Sequence, residues 1–216
     1  MKKILTTTLL ILVFISAIAI GWLKFSNTGK RIVALYGPKH ASSHEISSNI
    51  FDKLQAKASE VKNFSEKNNY NNNICFLVDM SMSSGRNRFF VYDLNKDTIL
   101  KAGLVTHGNC NQMWLEGRKF GNDPGCGCTS IGKYKVGNRY SGKFGLSFKL
   151  YGLEKTNSNA FLRAVVLHSH ECVPENEVED EICQSLGCPT VAPGFLKQLN
   201  TLITTSKKPI LLWIFE

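Results

Sequence analysis

A cysteine attacks carbonyl carbon as the thiolate, so it needs a neighbour to take its proton, and imidazole titrates close enough to neutrality to serve. This chain offers such a pair in His168 and Cys188, the latter within Ser185-Leu186-Gly187-Cys188-Pro189. His168 closes the run Leu162-Arg163-Ala164-Val165-Val166-Leu167, which reads as a buried strand and predicts an imidazole at a rigid strand end. Gly187 is expected to leave room for a substrate backbone, and Pro189 has no N–H to donate. An oxyanion hole must therefore draw on the turn amides of Cys188, Gly187 or Leu186, with Ser185 opening the turn. His170, beyond His168 on the same segment, is the alternative base. His107 closes another apparent strand and is a candidate to line the same cleft.

The elements that must hold these groups follow from hydrophobic periodicity. A helix is predicted over 45–64, where Ile46, Ile50, Leu54, Val61 and Phe64 recur near helical spacing behind Ser42 or Ser43 as a cap. The Asn-rich stretch 65–73 reads as a loop. Strands are predicted at 74–80, 88–94 and 99–107, and the turn Asn95-Lys96-Asp97 between the last two implies antiparallel pairing. Further strands are expected at 132–136, 148–151, 162–168 and 210–215. A helix starting at Pro193 and ending near Ile203 should carry Leu196, Leu199 and Ile203 on one face. The pattern is mainly β with a few helices, without internal repeat or second domain.

Three ordered blocks resemble one family: Arg163 to His168, Ser185 to Pro189, and the upstream Tyr140-Ser141-Gly142-Lys143-Phe144-Gly145-Leu146-Ser147-Phe148-Lys149-Leu150-Tyr151-Gly152-Leu153-Glu154. From about Cys75 to the C-terminus the chain is similar to the murein L,D-transpeptidase catalytic domain family, in its branch with a Ser-x-Gly-Cys-Pro motif. The resemblance implies a single β-sandwich or barrel domain over 44–216, with its β-rich core at 74–216. It also implies a thioester enzyme of the cell wall that uses Cys188 as nucleophile and His168 as base. The expected reaction is transfer of a peptidoglycan stem peptide to an amine. The alternatives are an L,D-carboxypeptidase, with water as acceptor, and a non-catalytic peptidoglycan-binding envelope protein. Leu186 stands where much of the family has a second histidine. Ser169 and Gln184 also depart from the branch's usual glycine and arginine, which makes both candidates for altered substrate contacts.

Composition agrees with an exported enzyme. The chain has 216 residues, enough for one domain with a sizeable core plus an appendage. Met1-Lys2-Lys3 followed by the apolar stretch 4–23 makes 1–24 a signal peptide or signal anchor, and 25–43 reads as a polar tether. The positive-inside rule then places the following domain outside the cytoplasm, on the bacterial envelope side. A net charge of +9 raises nucleic acid as a partner, but no nucleic-acid module is recognisable, which leaves a solvated basic surface or attraction to anionic wall and lipid groups.

Seven cysteines fit an oxidising compartment, and if six closed bridges Cys188 would be the one left free. Cys172 with Cys183 would tie the loop between base and nucleophile, and Cys110 is expected to pair with Cys126 or Cys128. Cys75 lies in an apolar strand and reads as an inert thiol. A metal site built from His168, His170, Cys172, Cys126 and Cys128 is the competing use of the same side chains, but the usual Cys-x-x-Cys spacings are missing, so neither metal nor cofactor is expected. The acids Glu171, Glu175, Glu177, Glu179, Asp180 and Glu181 read as solvated surface or, functionally, as an attractor for an acceptor amine.

Overall fold

The computed structural model describes residues 48–216. The expectations for 1–24, for 25–43 and for the first residues of the predicted helix lie outside the described residues. No helix among the described residues is long and apolar enough to cross a membrane.

Helix α1, Ser48–Asn68, turns Leu54, Ala58, Val61 and Ser65 inward at helical spacing. It overruns the predicted end at 64 because Ser65 faces the core rather than water. The stop comes at Asn69, whose φ of 61° is left-handed, and Tyr70 N–H donates to the Ser65 carbonyl at 3.1 Å.

Eight strands form one mixed sheet: β1 (Ile74–Asp79), β2 (Phe89–Asp93), β3 (Thr98–Gly103), β4 (Gly132–Gly142), β5 (Gly145–Gly152), β6 (Val166–Ser169), β7 (Thr190–Val191) and β8 (Leu211–Phe215). Their spatial order is β3-β2-β1-β8-β4-β5-β6-β7. The hairpins β1–β2 and β2–β3 are antiparallel as the sequence predicts. Between β2 and β3 the Asp93 carboxylate accepts the Asn95 and Lys96 amides. The pairs β1–β8 and β6–β7 are parallel, which no local pattern announced.

Both central strands are buried on their two faces, hence their near-continuous apolar runs. Cys75, Leu77, Leu211 and Trp213 pack against α1, whereas Phe76, Val78, Leu212 and Ile214 pack against helix α2, Pro193–Thr205, through Phe195, Leu196 and Leu199.

Three expectations need correction. The strand predicted over 162–168 is only β6, because Arg163 and Ala164 belong to a turn in which Ala164 takes a φ of 54°. His168 is therefore an interior residue of its strand, with Ser169 at the end. The strands predicted at 132–136 and 148–151 are halves of one long hairpin whose register shifts between Val136 and Arg139. Its tip, Gly142-Lys143-Phe144-Gly145, was not foreseen. The strand predicted over 99–107 stops at Gly103, but the chain beyond it closes the sheet. Val105 bridges Val191 of the far edge strand, Thr106 N–H donates to the Thr190 carbonyl at 2.9 Å, and Gly108 bridges Ser185. The sheet thus curls until its two edges meet.

Candidate active site

That meeting of edges is where the singled-out residues come together. Parallel pairing of β6 with β7 sets His168 opposite Thr190, and Cys188 precedes Thr190 in the turn entering β7. Cys188, His168, His170, Gln184, Ser185 and Leu186 share one open cleft of about 480 Å³. Thr106, Lys143, Phe144, Arg163 and Thr190 also line it; Lys143, Phe144 and Arg163 lie in the blocks that carry the resemblance, but none of the five is a candidate site residue by sequence.

The turn is held by hydroxyls. Ser185 Oγ donates to the Cys188 carbonyl at 2.7 Å and accepts the Gly187 N–H at 3.1 Å. Thr106 Oγ1 also donates to the Cys188 carbonyl, at 3.2 Å. Gly187 adopts a φ of 104°, and a Cβ there would lie 2.5 Å from the Cys128 carbonyl oxygen. Glycine is therefore required by the protein's own packing, whatever room it also leaves for a substrate. Of the three candidate oxyanion donors, the Gly187 amide is already taken. The Cys188 and Leu186 amides donate to no group among the described residues. Leu186 is 72% exposed at the mouth of the cleft.

His168 is buried, and its orientation follows from two contacts. Nδ1 lies 3.1 Å from the Ser169 carbonyl, an acceptor, so Nδ1 carries the proton. Nε2 is then a lone-pair nitrogen that accepts from Thr190 Oγ1 at 3.1 Å. Phe144 stacks on the ring with centroids 4.2 Å apart. Burial lowers the pKa of this imidazole; the Ser169 carbonyl opposes the shift, and His170 adds to it. Burial raises the pKa of Cys188, and a backbone hydrogen bond from Val166 and the charge of Arg163 oppose that rise. Both shifts favour a neutral thiol beside a neutral imidazole over a resting ion pair. Cys188 Sγ lies 4.0 Å from the Ala164 carbonyl, and no hydrogen bond joins it to either imidazole among the described residues.

The remaining candidates take distinct places. His170 is exposed at the cleft, with Nδ1 accepting the Cys172 amide at 3.1 Å. Ser169 contributes its backbone carbonyl and is not among the lining side chains. Gln184 lines the cleft, but its amide is occupied by a two-way pairing with the Leu115 backbone, at 2.9 Å in both directions. His107 is a correction: it is 2% exposed, behind the cleft, with Nδ1 3.1 Å from Nη2 of the fully buried Arg88. Burial foremost, with the Arg88 charge, lowers its pKa to about 4.

Two disulfides flank the site, Cys172–Cys183 as expected and Cys110–Cys128 from the two alternatives. Cys75, Cys126 and Cys188 are free, so Cys75 is a free thiol as read and no third bridge leaves Cys188 alone. Cys75 is sealed in β1, and Cys126 sits two residues from its bridged neighbour Cys128. Bridging also removes Cys172 and Cys128 from the competing metal set, and no cluster of three or more His, Cys, Asp or Glu able to hold a metal ion occurs among the described residues. Half of the acidic loop clips the structure rather than facing solvent freely. Glu175 accepts the Gly194 amide, Glu177 the Asn87 amide, and Glu181 the Ser84 hydroxyl and the Arg118 guanidinium.

A hairpin tip bearing Lys143 and Phe144 was legible only as a Gly-flanked pair of residues. Arg163 was hidden inside a run read as strand. Thr190 and Thr106 carried no signal, because their role depends on the closing of the sheet.

No curated protein sequence matches the chain. The family model of the L,D-transpeptidase catalytic domain matches residues 43–214, and with this mainly β sheet around a cysteine–histidine cleft the chain belongs to that family of peptidoglycan-modifying domains.

Proposed function

We propose that the protein is an L,D-transpeptidase in which Cys188 attacks the amide between an L-centre and a terminal D-residue of a stem peptide. The observation that carries this reading is the register of His168 with Thr190. It brings a lone-pair nitrogen, its tautomer set by the Ser169 carbonyl, into the cleft that Cys188 lines. The Thr190 hydroxyl has two acceptors in reach, His168 Nε2 at 3.1 Å and the Cys188 carbonyl at 3.4 Å. When it turns to the carbonyl, Nε2 is free to take the thiol proton as Cys188 rotates away from Ala164.

Sulfur then adds to the scissile carbonyl, and the Cys188 and Leu186 amides are the donors open to the developing oxyanion. The carbon–nitrogen bond breaks, the imidazolium returns its proton to the departing amine, and a thioester remains on Cys188. An amine of a second stem peptide adds to the thioester while His168 takes its proton, and collapse regenerates the thiol. His168 is favoured over His170 because its ring is buried, stacked and fixed on a strand, whereas His170 is exposed on the loop. The two disulfides fit an oxidising compartment. We propose the cell envelope as the site of action, with 4–23 as the targeting or anchoring segment.

Incubation with a disaccharide tetrapeptide, followed by mass spectrometry, tests the reading. A cross-linked dimer is the expected product. Tripeptide alone would make the enzyme a carboxypeptidase, and an unchanged substrate would leave only a binding role.

A further inference from the structure

We infer that Arg163 and Lys143 form a carboxylate-binding subsite beside Cys188, which selects donor peptides whose leaving residue ends in a free α-carboxylate. The inference rests on Cys188 being the attacking thiol, and it concerns what that thiol accepts as substrate.

Arg163 is a half-buried cation without an acidic partner among the described residues. Its Nη1 donates to the Gly121 carbonyl at 2.9 Å and to Ser130 Oγ, and its Nη2 donates to the Cys128 carbonyl. All three are neutral acceptors. The comparison with other cations is informative: Lys53, Arg86, Arg118 and Lys133 each lie within ion-pair distance of an acid, whereas neither Arg163 nor Lys143 does among the described residues. A guanidinium has five N–H groups. The three bonds leave one on Nη2 and one on Nε that donate to nothing described. Anchoring by neutral carbonyls fixes the group without cancelling its charge, and a planar cation of this kind recognises carboxylate.

Position supplies the second part. Arg163 and Lys143 line the cleft together with Cys188 and His168. Nη2 of Arg163 lies 3.0 Å from where a Cβ on Gly187 would stand, so the charge abuts the residue just before the nucleophile. Along a peptide the next carbonyl carbon follows the scissile one by about 3.5 Å. The terminal carboxylate of a one-residue leaving group thus falls in the neighbourhood of this charge. Lys143, carried on the tip of the β4–β5 hairpin, adds a second cation, its ammonium 5.7 Å from the centroid of the ring-stacked Phe144.

The test uses the full chain with two donors, a disaccharide tetrapeptide ending in the free acid and the same peptide ending in a carboxamide. The acid should be favoured about tenfold or more in kcat/KM, chiefly through KM. Arg163→Gln should erase most of that preference, Arg163→Lys should keep part of it, and Lys143→Ala should reduce it by about two- to threefold. Equal use of both donors by the unaltered protein would overturn the subsite while leaving the thiol chemistry standing; turnover of neither would sink the reading of Cys188 itself. A preference surviving in Arg163→Gln would also overturn the inference. Should the Gln variant fail to fold, as its unfolding midpoint would reveal, the Lys143→Ala variant decides. Lys143 makes no side-chain hydrogen bond or ion pair among the described residues, and an unchanged preference there would refute its share and with it the paired-cation subsite.

Discussion

The two halves of the sheet are built on different principles. Around β1 and β8 the strands are six and five residues long, apolar on both faces and covered by a helix on each side. Around β6 and β7 the strands are four and two residues long; Leu167 and Val191 still join the apolar core, and to that burial are added a disulfide, hydroxyl-to-carbonyl bonds, a stacked ring and an arginine clip. Burial is non-directional, so the first half tolerates any packing of about the right volume. Hydrogen bonds and bridges are directional, and catalysis needs atoms placed within tenths of an ångström. The molecule keeps oil where it needs stability and polar clips where it needs aim.

The sharpest way to break this contrast lies at the proposed nucleophile. Cys188→Ala should lower turnover by about 10,000-fold or more while leaving the thermal unfolding midpoint almost unchanged. A residual rate near that of the unaltered protein, measured by product mass spectrometry, would remove the thiol from the chemistry. A core truncation should do the reverse. Leu212→Ala, at a fully buried position, is expected to cost about 2–5 kcal/mol in denaturant unfolding with little change in kcat while folded.

Opening the Cys172–Cys183 bridge with paired serine substitutions should cost about 3 kcal/mol by loop-closure entropy. Unlike the core truncation it should also reduce kcat, because the loop joins base to nucleophile. If both variants lose stability and rate in the same proportion, the two halves are not mechanically distinct.

His107 sharpens the comparison through pH. Its folded pKa of about 4 lies below the ordinary histidine value, so between those limits the unfolded chain binds the extra proton. Stability from this residue is complete above about pH 6.5 and falls as the pH drops towards 4, by about 3 kcal/mol in total. His107→Gln should flatten that slope in urea titrations at several pH values, and an unchanged slope would deny that buried His107 is the residue titrating there. The smallest effect concerns the resting thiol. Because burial raises the Cys188 pKa, the pH midpoint for its alkylation by iodoacetamide should lie above that of an ordinary thiol, whereas a midpoint below neutrality would reveal a preformed ion pair.

Sequence legibility follows the same division. Alternating and continuous apolar runs named β1, β2, β8 and α2 to within a residue or two, because burial writes itself into local pattern. Cys188, His168 and the Cys172–Cys183 bridge were visible because cysteine and histidine are rare and reactive types. What escaped notice was made by distance. Thr190 acquires meaning from a parallel pairing, Thr106 from the meeting of two sheet edges, and Arg163 from a turn disguised as strand by its apolar neighbours. His107 was misplaced for the converse reason: a histidine at a strand end looks the same in sequence whether it opens onto a cleft or sinks against a buried arginine.

The closure of the sheet has a temporal corollary. Thr106 reaches the Cys188 carbonyl across 82 positions of chain, and contacts of such separation form slowly, since a long loop must be ordered before anything rewards it. On the proposed reading, the cleft around Cys188 is therefore complete only once this pairing is made. The alignment of thiol and imidazole that the proposed mechanism needs arrives together with the closed sheet.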